Sequence, residues 1–156
     1  MIEEGDKAPL FALPRDGGDI VKLADLKGRM IVVYFYPKDD TEGCTKEAIG
    51  FSEALPEFHN AGVEVIGISP DSVKSHGKFR GKHDLKIILL ADEERKAIEA
   101  YGVWGEKQMY GRTFMGVIRS TFLIDNDGRI ARAWRNVRIA GHVEEVLGAA
   151  RDLAAA

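Results

Sequence analysis

Seven consecutive residues, Met30 to Tyr36 (MIVVYFY), restrict the fold more than any other stretch of the chain. Branched and aromatic side chains fill successive positions, with no charged residue between them. A strand with one wet face alternates apolar and polar residues, so both faces of this one are expected to be covered, as in a sheet enclosed by helices. The run is the longest apolar stretch and falls far short of the ~20 residues that cross a bilayer. Beyond it, apolar residues fall at Cys44, Ala48, Phe51, Leu55 and Phe58. Steps of four, three, four and three draw one face of a helix. Pro56 is expected to kink or weaken its last turn.

The remaining segments extend this pattern. PLFAL and IVKL flank RDGGD and predict a small N-terminal β-hairpin, and ADLKG a single helical turn ended by Gly28. AGVEVIGIS and KIILL read as further strands. DSVKSHGKFRGKH reads as a helix after an Asp N-cap, and DEERKAIEAYG as one ended by Gly102. YGVWGEKQMYG reads as a long aromatic-rich loop that either walls a pocket, contacts a partner or simply packs. STFLID and GRIARAW flank the turn signal NDG, and GHVEEVLGAARDLA predicts the closing helix. With no linker or repeat, residues 1–156 are expected to form one α/β domain: a central mixed sheet flanked by helices. The element order is that of the thioredoxin-like fold. In that layout Cys44 lies at the carboxyl end of a central strand, on the first turn of the next helix, where open α/β sheets place their sites.

Composition removes several classes of function. A formal charge of −3, with no dense basic cluster, argues against nucleic-acid binding. The segment RAWRNVR reads as a charged strand face. The start, MIEEGDKAP, lacks a hydrophobic signal region, and one cysteine makes neither an internal disulfide nor a four-thiolate metal site. A reducing cytoplasm and no membrane association are therefore expected. His59, His76, His83 and His142 show no ligand spacing and are read as surface or capping residues, so no metal is expected. No glycine pattern suggests a nucleotide, and no other cofactor is expected.

Cys44, the only cysteine, sits in the polar loop PKDDTEGCT. A helix N-terminus offers unpaired N–H groups and partial positive charge, which favour a thiolate. Gly43 permits close backbone approach, and the Thr41 hydroxyl is placed to cap the helix or to hydrogen-bond near the sulfur. Pro37 ends the strand. Asp39, Asp40 and Glu42 oppose a thiolate, so a nucleophilic Cys44 needs a distant cation. Arg119 is the candidate, at the start of the strand in IRSTFLID. From the residues alone two readings stand. Cys44 is a nucleophile, or it packs like a small hydrophobe while Arg119 pairs with Asp125 or Glu47.

The loop resembles the peroxiredoxin pattern Pro-x-x-x-Thr-x-x-Cys, here Pro37, Thr41 and Cys44. GDKAPLFALPRDGGDIVKLADLKG, EVIGISPDSVKSHGKF, the stretch from Tyr101 to Asp125 and HVEEVL are similar to the bacterioferritin-comigratory (Q-type) subfamily. The resemblance spans nearly the whole chain. It implies a thioredoxin fold and reduction of hydrogen peroxide and organic hydroperoxides without metal or haem. By resemblance Cys44 is the peroxidatic cysteine, and Arg119, Thr41 and the N–H groups of Gly43 and Cys44 bind the peroxide while Pro37 shields the loop. Two departures matter. Many relatives carry a second cysteine five residues on, where this chain has Ile49, and Glu42 stands where proline is often found. Reduction by an external thiol (thioredoxin, glutaredoxin or glutathione) is therefore expected, and a monomer rather than a dimer. The alternative function is a peroxide sensor or chaperone-like thiol protein with negligible turnover.

Overall fold

The computed structural model describes residues 2–156. The run Met30–Phe35 forms β3, and every residue of it is buried. It pairs in parallel with β4 (Val63–Ser69), which pairs in parallel with β5 (Ile88–Ala91). On its other side β3 pairs antiparallel with β8 (Ser120–Ile124), which pairs antiparallel with β9 (Ile130–Trp134). The mixed sheet has the order β5-β4-β3-β8-β9.

Alternation along β3 builds two cores. Val32, Tyr34 and Tyr36 face the helices α1 (Glu42–Asn60), α2 (Val73–His83) and α4 (His142–Ala155), where Phe51, Phe58, Phe79 and Val146 pack. Ile31, Val33 and Phe35 face the opposite layer, which holds Leu13 of the hairpin β1 (Ala12–Pro14) and β2 (Ile20–Lys22) together with Ile98 of α3 (Lys96–Ala100). The expected helix face is present in full: Cys44, Ala48, Phe51, Leu55 and Phe58 are all buried. The α1 helix continues through Pro56 to Asn60, so the proline does not end it.

Three expectations change. The segment read as a long loop is a hairpin, β6 (Trp104–Met109) with β7 (Arg112–Val117). Its turn is Tyr110-Gly111, both at positive φ, and a tyrosine there hides the turn from a search for Asn-Gly or Asp-Gly. The helix expected from Asp92 starts only at Lys96, because the Asp92 carboxylate accepts from the Lys96 and Ile98 N–H groups and caps a shorter element. Ser72, not Asp71, caps α2, accepting from the Ser75 N–H.

Tyr34 and Gly67 are paired neighbours on β3 and β4, and a Cβ on Gly67 would lie 2.8 Å from Tyr34 Cζ. Phe51 stacks on the same ring at 4.7 Å between centroids. With β4 held between two strands, neither group has room to yield. Gly67→Ala is expected to destabilise the protein by about 1–3 kcal/mol through overpacking, read as a lower urea midpoint at unchanged slope.

Candidate active site

Where β3 ends, the Tyr36 N–H donates to Ile68 O, and the chain leaves the sheet as the loop 37–41. Pro37 is half-buried at the exit, and Asp40 takes a positive φ of 60°. Thr41 occupies the N-cap position of α1 with extended backbone, which places Cys44 on the first helical turn. The N–H groups of that turn have no helical partner. The Thr41 hydroxyl does not cap them, contrary to expectation; it donates to Lys38 O at 2.9 Å and ties the loop to itself.

Cys44 is only 2% exposed. The sheet brings Arg119 to it from the opposite direction, as the residue immediately before β8. Arg119 Nη2 donates to Cys44 Sγ at 3.4 Å, and Nη1 donates to Glu47 Oε1 at 2.7 Å. Of the two carboxylates considered for Arg119, Glu47 is the partner; Asp125 instead accepts from the Asp127 and Arg129 N–H groups in the β8–β9 turn. Glu47 is fully buried, and its Oε2 has no hydrogen-bond partner among the described residues. Burial pushes its carboxyl up to about 7, against the pull of Arg119. Burial alone would lower the Arg119 guanidinium, but Glu47 and Cys44 outweigh it and hold the group above its ordinary value. Arg119 is thus a fixed cation divided between a carboxylate and the sulfur.

Close approach depends on Gly43. A Cβ there would lie 2.9 Å from Ile139 Cδ1 and 3.3 Å from Arg119 Nη2, so the missing side chain makes room for both. Ile139 belongs to the segment after β9, and the Val137 N–H donates to Arg119 O at 3.0 Å. This segment begins within the stretch read as a charged strand face, and only the fold shows that it closes the site. From the β6–β7 hairpin, Lys107 donates to Val117 O; burial and Arg119 lower its ammonium pKa, while Cys44 acts in the opposite direction.

The histidines also depart from expectation, because His76 and His142 are buried. His142 Nε2 lies 2.8 Å from Thr121 Oγ1, and burial pushes the imidazole down to about 4. His76 meets Asp39, 37 positions away, at 2.7 Å. No local spacing reveals a partner that distant.

A thioredoxin-like sheet with a thiol at the start of the helix after its central strand, beneath an arginine, is an arrangement suited to thiol redox chemistry. The chain belongs to the AhpC/TSA family, which matches residues 4–133. It is 49% identical to peroxiredoxin Bcp of Bacillus subtilis (strain 168) over 152 residues, covering 97% of each chain. It is 42% identical to peroxiredoxin Bcp of Escherichia coli (strain K12) over 146 residues, covering 94% of each. Among solved structures, the bacterioferritin comigratory protein of Xanthomonas campestris, described for its alkyl peroxide reduction activity, superposes with a TM-score of 0.90 at 39% identity. That match covers 97% of this chain and 99% of the other. Peroxiredoxins of this Bcp or Q type are thiol peroxidases, which reduce peroxides at the expense of thiol reductants.

Proposed function

We propose that Cys44 carries the peroxidase reaction of this protein and that an external thiol resets it. The observation that supports this most directly is the Arg119 fork, with one nitrogen on Cys44 Sγ and the other on the buried Glu47. The Cys44 thiolate attacks one peroxide oxygen. An S–O bond forms as the O–O bond breaks, and the leaving oxygen takes a proton to become water or an alcohol. The sulfur is oxidised to a sulfenic acid and the peroxide is reduced. Negative charge moves onto the leaving oxygen in the transition state, where fixed donors contribute most. Arg119 and the N–H groups of Gly43 and Cys44 supply those donors. The Thr41 hydroxyl faces the peroxide when the loop holds it, and Pro37 shields the site from water.

With a single cysteine in the chain, the second half of the cycle needs two external thiols. The first condenses with the sulfenic acid, releasing water and leaving a mixed disulfide. The second attacks that disulfide, frees Cys44 and leaves as the oxidised reductant. Thioredoxin, glutaredoxin and glutathione fit this role. The protein acts as a monomer in the cytoplasm, a placement supported by a single cysteine that forms no internal disulfide.

The test is consumption of hydrogen peroxide with and without thiol. Without thiol, one equivalent is consumed and Cys44 gains one oxygen by mass spectrometry. With dithiothreitol, consumption is sustained, and with the monothiol glutathione a mixed disulfide is trapped on Cys44. Oxidation without sustained turnover on any of the three biological thiols would overturn the enzymatic reading in favour of a sensor.

A further inference from the structure

Five residues before Cys44, the loop is fastened to the α2 side of the sheet by a polar cluster that the reaction itself does not use. Asp39 is 7% exposed although it belongs to a surface loop. Its Oδ1 accepts from the Tyr36 hydroxyl at 2.6 Å, and its Oδ2 accepts from the Ser75 hydroxyl at 2.8 Å and lies 2.7 Å from His76 Nδ1. Its backbone N–H donates to Asp71 Oδ2, which also accepts from the Ser69 hydroxyl. Asp39, Asp71 and His76 bring their ligand atoms within 4.8 Å of one another. Hydrogen bonds link these residues to one another and to Ser69 and Ser75.

The proton count follows from geometry. His76 is fully buried, and its Nε2 lies 2.9 Å from the Leu90 carbonyl, which only accepts, so Nε2 carries a hydrogen. On the other side of the ring, Nδ1 and a carboxylate oxygen are both acceptors unless one proton lies between them. A separation of 2.7 Å therefore requires that proton, and the pair is an imidazolium facing a carboxylate. We propose that His76 is a positioning residue: its protonated imidazole locks Asp39 and thereby holds the 37–41 loop, and the first turn of α1 behind it, in the closed conformation that keeps Cys44 under Arg119.

The surroundings agree. Burial opposes the charge on His76, but the bond to Asp39, its charge, the Leu90 carbonyl and Asp71 together raise the His76 pKa. The charged groups that face the ring are Asp39 from the loop and Asp71 from the β4–α2 connection, with the Tyr36 hydroxyl from the end of β3. Burial and Asp39 keep that hydroxyl protonated. Asp40 points outward to Lys82 and His83 and forms a second, exposed tie to α2. The sign is fixed by the direction of the His76 shift. The lock is complete below the ordinary histidine range and is lost as pH rises through the raised value of the folded protein. Above it, the neutral ring has one N–H for two acceptors, the Asp39 carboxylate and the Leu90 carbonyl, so one of its two anchoring contacts is lost and the loop loosens.

The lock bears differently on the two halves of the cycle. Attack on a peroxide needs the closed site, whereas a buried sulfur must be uncovered before an external thiol reaches it. This half of the argument rests on Cys44 being the reactive thiol; amide exchange of the loop tests the lock without it. The experiment compares wild type with His76→Ala, His76→Asn and Asp39→Asn by hydrogen exchange of residues 37–45 between pH 6 and 10, corrected for intrinsic exchange. In the wild type, protection falls with rising pH, at up to about tenfold per pH unit because one proton is released. His76→Ala exchanges fast at every pH. In His76→Asn the amide replaces the Nδ1 donor, and in Asp39→Asn it donates to neutral His76, so both lose the pH dependence and keep protection at high pH. In single-turnover assays His76→Ala oxidises more slowly with hydrogen peroxide and is reduced faster by dithiothreitol, an opposition that general damage to the fold does not produce. Persistence of the pH-dependent loss in Asp39→Asn, or equal slowing of both half-reactions in His76→Ala, would overturn the proposal. Should His76→Ala fail to fold, Asp39→Asn decides it alone.

Discussion

Cys44→Ser is expected to reduce peroxide consumption to the uncatalysed background while leaving the fold intact. Serine is close in size, and a hydroxyl at this position still accepts from Arg119 Nη2, so the buried polar atom keeps its partner. The chemistry does not survive. A serine hydroxyl carries no usable anion near neutral pH, and only sulfur passes through the reversible sulfenic acid that the cycle requires. The measurement is the initial rate of hydrogen peroxide loss with dithiothreitol as reductant, with circular dichroism and the urea midpoint as controls for folding. Unchanged consumption in a folded Cys44→Ser protein would remove Cys44 from the reaction.

Arg119→Ala carries the second large effect, and it has two parts. Removing a fixed donor from a transition state that develops charge costs about 10²–10³ in rate, and the loss falls on the oxidation step, not on reduction of the sulfenic acid. The other part concerns stability. Glu47 is fully buried, and Arg119 is what draws its carboxyl down toward about 7 against the larger effect of burial. Without Arg119 the carboxyl rises further. Its folded value then lies well above the ordinary 4.5, so the protonated form contributes stability that is complete below that value and is lost as pH rises through the folded one. In the wild type this loss levels off just above neutral pH; in Arg119→Ala it continues into the alkaline range. Urea unfolding from pH 5 to 9 is expected to show the variant close to wild type at the acid end and falling steadily behind it at the alkaline end. Parallel stability curves would show that Glu47 is not held by Arg119.

These two residues were accessible from the sequence for different reasons. Cys44 is legible because its constraints are local: a buried strand ends, a turn follows, and a helix face begins with the sulfur in register with Ala48 and Phe51. Arg119 is legible only as a position, the start of a strand expected beside the first; its choice of Glu47 over Asp125 depends on which carboxylate the packing buries. Thr41 shows the limit of capping rules. Its backbone takes the N-cap position, but its hydroxyl donates to the Lys38 carbonyl and accepts from none of the helix N–H groups. The β6–β7 hairpin is hidden in the sequence because its turn is Tyr-Gly, with Tyr110 exposed, and its strands leave Met109, Phe114 and Met115 exposed, with no alternating apolar face.

Hydrophobic periodicity and one count determined a good deal: the sheet covered on both faces, the helix after β3, the thiol at its start and the lack of any internal disulfide partner for it. These follow from spacing and number, which need no knowledge of what lies across the fold. Tertiary structure alone decided which distant groups meet. It placed Ile139 against Gly43, divided Arg119 between Cys44 and Glu47, and buried His76 against Asp39. Each of those pairings brings together residues far apart in the chain. Their energies come from desolvation and geometry at the meeting point, and neither is written in the neighbours along the sequence.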